Sequence, residues 1–224
     1  MPCGLCGDII PTEVTRCPAC GAWSRRRDFR ALAVGLFMLL GFNAFLSMGS
    51  AVSLMRMLPG LRHGTNTSYD AAATGTTLGT YNDVFIIAGA MSTLTGALFL
   101  AWLWRAHEQA EGPLRHRRAW TVGAWFLPFG NLWIPPRLMH DVWTSSGRYR
   151  MAERHAVGLV VLAWWGSLLG SIVLMALFPA AGTGTRADAL LAVQIGVAAN
   201  GLLALAATLC MAVVFQITRL QLRS

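Results

Sequence analysis

AWTVGAWFLPFGNLWIPPRLMHDVWTSS, residues 119–146, decides whether this chain crosses a membrane four times or five. The stretch is apolar enough to suggest a span. However, Pro128, Gly130, Pro135 and Pro136 interrupt it, and no unbroken run reaches the ~20 helical residues that a hydrocarbon core requires. Charge on either side settles the count. With four spans and the N-terminus inside, only Arg56, Arg62 and Arg186 of the 18 basic residues fall outside, and every basic residue is Arg. A fifth span would place the clusters at 105–118 and 148–154 on opposite faces and break the positive-inside pattern. Residues 119–146 are therefore expected to enter and leave from the cytoplasmic side, as an interfacial or shallow re-entrant hairpin. Trp120, Trp125, Trp133 and Trp143 are expected at headgroup level, where an amphipathic ring is best accommodated.

Working outward, four other runs are long and almost uncharged: about 31–55, 81–104, 157–178 and 187–216. Of the 224 residues, 55% are hydrophobic and 12% charged, about half the charge of an ordinary soluble domain. Lipid is thus the main solvent. The stretch at 56–80, rich in Gly, Thr, Asn and Ser, reads as an exposed loop. Asn82 and Asp83 then read as caps at the start of the second span. The expected architecture is an all-α membrane protein: a membrane domain over 31–222, both termini inside, in a bacterial cytoplasmic membrane.

In front of this body stand Cys3-Gly-Leu-Cys6-Gly7 and Cys17-Pro-Ala-Cys20-Gly21, the pattern C-x2-C-x10-C-x2-C. Two thiolates two residues apart grip one ion from a tight turn. Two such turns complete a tetrahedral sulfur shell. Zinc is expected at Cys3, Cys6, Cys17 and Cys20, ahead of a rubredoxin-like iron site or redox-active thiols. Residues 1–22 are too few to bury a useful core, so the ion would supply most of the module's stability. Four sulfurs leave no open position, which makes such zinc structural. The basic linker 23–30, with Arg25-Arg26-Arg27, reads as an anchor on anionic lipid rather than as a nucleic-acid contact.

Within the spans, Asn43 and Asn200 lie near mid-membrane and are expected to hydrogen-bond across the bundle, or else to line a polar path. Gly166-x-x-x-Gly170 and Ala192-x-x-x-Gly196-x-x-x-Asn200 are small-residue stripes that permit close helix contact. Arg137 and Asp141, four apart, would share one face of a short helix as an exposed ion pair or as a lipid-headgroup site. No span carries a cluster of carboxylates or histidines, and no nucleophile–base set with defined spacing is present.

Trp102-Leu-Trp-Arg105, then Trp120, then Trp125-Phe-Leu-Pro128-Phe-Gly-Asn131-Leu-Trp133-Ile-Pro135, then Asp141-Val-Trp143 resemble a family of bacterial multi-pass membrane proteins known only as a domain of unknown function. The resemblance spans roughly residues 30–220, and the W-F-x-P-x-x-N-L-W-x-P core carries most of it. It implies four spans, with a short zinc ribbon in front of some members. This chain departs from the pattern twice. The R-x-x-x-N-A element falls on Arg105-Ala-His-Glu-Gln-Ala, and Asp141 stands where Glu is usual. The resemblance implies no activity. The leading expectation is a non-enzymatic scaffold or sensor whose zinc ribbon docks a protein partner, with the hairpin as a cytoplasmic platform. The alternatives are a small-solute or lipid transporter using Asn43 and Asn200, and an interfacial lipid-modifying enzyme built on Arg137, His140 and Asp141.

Overall fold

The computed structural model describes residues 6–9, 17–20, 25–63, 71–110, 114–127, 129–147, 151–178 and 185–223. Every regular element of length among them is helical: α1 Arg25–His63, α2 Ala71–Gln109, α3 Trp120–Gly123, α4 Gly130–Ser145, α5 Met151–Leu177 and α6 Arg186–Arg223. In lipid the backbone must satisfy its own polar groups, so an apolar run of this length has little choice but helix. Four helices contain segments long and apolar enough to cross a membrane: Phe29–Arg62, Ile86–Gln109, Glu153–Leu177 and Arg186–Leu222. The chain is a four-span membrane protein with shorter helical pieces between the second and third spans.

The spans are longer than expected, and the loop read at 56–80 is mostly absent. α1 continues through Pro59 to His63, and α2 already begins at Ala71. Packing overrides local propensity at the end of α1. Leu54 and Leu61 are buried with Ala189 and Val193 of α6, and the Arg186 side chain donates from Nε to the Leu61 carbonyl at 2.7 Å. α6 starts there because Thr185 and Asp188 cap each other's backbone. Each N–H is bonded by the other's side chain, at 3.1 and 3.2 Å. Asn82 and Asp83 consequently lie well inside α2 and cannot cap its start.

The long helices are arranged in the order α2, α1, α6, α5, each packed on the next. α3 leans on α2, while α4 lies against α5 and also touches α6. One end of the bundle carries Arg30, Arg105, Arg115, Arg117, Arg118, Arg154 and Arg219 and is called the basic end below. The largest buried cluster sits toward that end, around Phe29, Leu36, Trp102, Leu103, Leu138, Val142, Val213 and Ile217.

The α3–α4 segment runs alongside the third span rather than across its end. His140 of α4 reaches the Arg154 carbonyl at 3.4 Å, near the start of α5. Ten residues before His140 the helix begins, and there the Leu132 carbonyl meets the Trp165 indole at 3.0 Å. Trp165 lies about 18 Å along α5 from Glu153 at 1.5 Å rise per residue, near the middle of the 25-residue candidate span. α4 therefore rises along α5 from mid-span to the basic end. At the low tip Phe126, Phe129 and Trp133 are 77%, 83% and 67% exposed. These side chains suit hydrocarbon.

Candidate functional site

Two prolines explain the tip. Pro135 and Pro136 were expected to break the segment, but both are buried inside α4, which runs 16 residues and remains too short to span. A proline lacks the N–H that would bond the carbonyl four residues earlier. Pro136 therefore releases the Leu132 carbonyl, and Trp165 of α5 donates to it. The motif's Asn-Leu-Trp-Ile-Pro-Pro thus exposes a backbone acceptor at the depth where a neighbouring Trp can use it.

Rings extend this joint across the bundle. Trp125 meets Trp165 edge-on at 5.4 Å between centroids and Phe99 of α2 edge-on at 5.7 Å. Phe99 also contacts Trp164 at 5.8 Å and Trp102 at 5.9 Å, and Trp102 stacks on Phe29 of α1 at 6.3 Å. Edge-to-face geometry at these distances is the favoured arrangement for aromatic quadrupoles. Of the four tryptophans expected at headgroup level, Trp120 is exposed beside Arg117 and Arg118 at the basic end, while the burial of Trp125 and Trp143 differs from that expectation. Trp143 is buried in the core, Trp125 is a mid-depth wedge, and Trp133 is exposed at the tip. Among the described residues, Trp125 Nε1 and Asn131 Oδ1 are buried without a hydrogen-bond partner. Pro128 lies outside the described residues.

At the basic end the polar motif residues gather, but not in the expected pairs. Asp141, 14% exposed, faces Arg115 at 3.9 Å, His116 at 3.6 Å and His140 at 3.9 Å. Arg137, four residues earlier, is exposed, and the Arg137–Asp141 ion pair does not form among the described residues. The loop after α2 folds back over α4 and captures the carboxylate first. His107 bonds the His116 carbonyl at 3.0 Å and fixes that loop. Arg118 pairs with Glu108 at 3.0 Å and lies 4.0 Å above the Trp104 ring. Arg105 lines a neighbouring cavity of about 490 Å³ with Leu32, Trp104, Glu108 and Arg118.

Asn43 joins α1 to α2. Its Nδ2 donates to Thr95 Oγ1 at 2.8 Å and to the Leu39 carbonyl at 2.9 Å, while Ser92 donates to its Oδ1 at 2.9 Å. Asn200 donates to the Gly196 carbonyl of its own helix at 2.8 Å. Both are buried. Thr218 and Gln221 were not singled out in the sequence, yet they tie three elements together. Trp102 donates to Thr218 at 3.2 Å, and Gln221 donates to the Ala106 carbonyl and to Ser146 Oγ, both at 2.8 Å. The available signal was position: both lie one turn apart on α6 beyond its apolar run, facing the second span. Of the glycine stripes, Gly196 approaches α1 so closely that an added Cβ would stand 2.7 Å from Leu54, and Gly170 would meet Leu202 at 3.1 Å. Gly166 faces open space.

In the head, the sulfurs of Cys6, Cys17 and Cys20 all lie within 4.8 Å of one another, with Cys6 and Cys17 at 3.5 Å. Four thiolates at about 2.3 Å from one tetrahedral ion stand about 3.8 Å apart, so the three fit a common metal. Gly7 has φ 76°, a left-handed conformation that a side chain would strain, which explains glycine directly after the first knuckle. Cys17 is buried, and Cys6 and Cys20 are exposed. Cys3 lies outside the described residues. What this cluster can do chemically is bind one soft or borderline cation.

Neither the curated proteins nor the solved structures contain a match to this chain. A family model does match, over residues 63–219, from the end of α1 nearly to the end of α6. The first span and the cysteine head lie in front of that match, so the resemblance read from residue 30 onward is shortened by one helix. With its second, third and fourth spans, its re-entering motif and its basic-end loop all inside the matched region, the chain belongs to the family described as domain of unknown function DUF4328.

Proposed function

We propose that the protein is a non-enzymatic scaffold or sensor of a bacterial cytoplasmic membrane. Both termini face the cytoplasm, and the N-terminal head, folded around a structural zinc ion, docks a protein partner. The convergence of Cys6, Cys17 and Cys20 carries the reading: three thiols from two knuckles share one small volume. Cys3 is the fourth ligand in this proposal, closing the shell so that zinc holds shape rather than activating water. The basic end supports the orientation, because arginine clusters mark cytoplasmic flanks. The hairpin then enters from the cytoplasmic side and returns to it. It braces the bundle internally instead of forming a cytoplasmic platform. Polar side chains at mid-depth support a scaffold too: Asn43 spends its amide on α2, which is a fastening and not a solute path.

Quantitative crosslinking in cells tests the docking. Wild type is expected to recover at least one partner that Cys3→Ser/Cys17→Ser loses, at equal membrane abundance. Identical partners in both would sink the proposal. Metal analysis of purified protein is expected to give one zinc per wild-type chain and none in the double variant.

A further inference from the structure

A groove of about 520 Å³ runs between α1 and α6 at the basic end. Its floor and walls are apolar, including Ala33, Val34, Phe37 and Phe215, and its mouth carries Arg30 and Arg219. Val34, Phe37 and Phe215 are 52%, 44% and 53% exposed, so the groove opens sideways from the bundle toward lipid. It follows α1 from Arg30 to Met38, about 12 Å at 1.5 Å per residue, most of the ~15 Å depth of one leaflet. Both arginines are exposed, and among the described residues neither has an acidic partner. Glu108 and Asp141 at this end are taken by Arg118 and by Arg115 with His116. Two unpaired guanidinium groups at headgroup level, above a slot one acyl chain deep, form a charge-complementary seat for one class of occupant.

We propose that the α1–α6 groove binds an anionic glycerophospholipid, with the phosphate between Arg30 and Arg219 and an acyl chain along Val34, Phe37 and Phe215. Guanidinium groups match phosphate oxygens through paired N–H donors, and basic pockets between membrane helices select anionic headgroups for that reason. The site is separate from the cysteine head and does not depend on it. It would also fix the α1–α6 seam in the leaflet that the arginines face.

Native mass spectrometry of the detergent-released full chain tests this, with phosphatidylglycerol and phosphatidylcholine as probes. Wild type is expected to retain phosphatidylglycerol in preference to phosphatidylcholine. Arg30→Gln/Arg219→Gln should weaken phosphatidylglycerol on the order of tenfold and abolish the preference, whereas Arg30→Lys/Arg219→Lys keeps it. Val34→Trp, which fills the slot and leaves both charges, should lower binding of either lipid. Millimolar inorganic phosphate should not displace the lipid; displacement would mean that the arginines bind a free anion without the groove. Equal retention of the two lipids by wild type, an unchanged preference in the glutamine variant, or dimers in which a second chain covers the groove would each overturn the proposal.

Discussion

Along the seam between α1 and α6, helices approach until Gly196 leaves no room for a methyl group beside Leu54, and Ala189, Ala192 and Val193 are buried on the same face. Between α2 and α5 the backbones stay apart, and the space is bridged by Phe99, Trp164 and the Trp125 wedge of the hairpin. Both sides face the same solvent problem. Lipid provides no hydrophobic drive for helices to associate, so contact must come from packing and from polar groups that find partners. One side solves it with small residues and close backbones. The other inserts a short helix and large rings. The first needs only two helices, whereas the second needs the α3–α4 segment between the second and third spans, which lies inside the family match.

The comparison breaks most visibly at Trp165. Trp165→Ala removes the edge contact with Trp125, the ring contact with Trp164 and the bond to the Leu132 carbonyl. The expected loss is about 3–5 kcal/mol, read as an earlier midpoint in unfolding by SDS, together with release of the hairpin. Trp165→Phe keeps most of the ring and loses the donor, so it should cost about 1 kcal/mol. No loss from Trp165→Phe would show that the released carbonyl at Leu132 is unimportant, whereas equal losses from the two would leave the rings without weight.

On the opposite side, Gly196→Leu should cost about 1–3 kcal/mol, because the buried Leu54 and the half-buried Phe178 ring must shift. Gly166→Leu, at a glycine with nothing within 4 Å, is the control and should be near neutral. If Gly166→Leu proved as damaging as Gly196→Leu, the two stripes would be equivalent and the seam would not be special.

Asn43→Leu deletes three hydrogen bonds but leaves Thr95 bonded to its own helix carbonyl at 2.8 Å. The loss should be only about 0.6–1.7 kcal/mol, as for other interhelical polar contacts in membranes. A reconstituted-flux assay, which a transport path would move, should be unchanged by the same substitution.

What the sequence could reveal follows from range. Four spans were legible because length and apolarity are local properties, and the clustering of Cys6, Cys17 and Cys20 because ligand spacing is local. The depth of the hairpin was not legible. Its apolar residues suit an interface and a membrane interior equally, and the deciding bond joins Leu132 to a residue 33 positions away. The two adjacent prolines were read as breaks, although their stronger implication was two released carbonyls in need of donors. Arg137 and Asp141 failed as a pair for the same reason: helical spacing cannot see the loop that delivers Arg115 and His116. The loop at 56–80 was misread where α6 packs on the end of α1 and holds it helical.

The smallest expected effect bears most directly on the hairpin. Asn131 lies inside the family match, yet among the described residues its Oδ1 is buried without a hydrogen-bond partner, in contrast to Asn43, whose oxygen accepts from Ser92. An unpaired buried carbonyl is a cost and not a gain, so replacing it by an apolar group of similar shape is nearly neutral or slightly stabilising. Asn131→Leu should therefore lie within roughly 0.5 kcal/mol of wild type in the same SDS titration, while Asn43→Leu does not. If Asn131→Leu cost as much as Asn43→Leu, that oxygen would be bonded in the folded protein, and the hairpin would be held by polar fastening like the first two helices rather than by its rings.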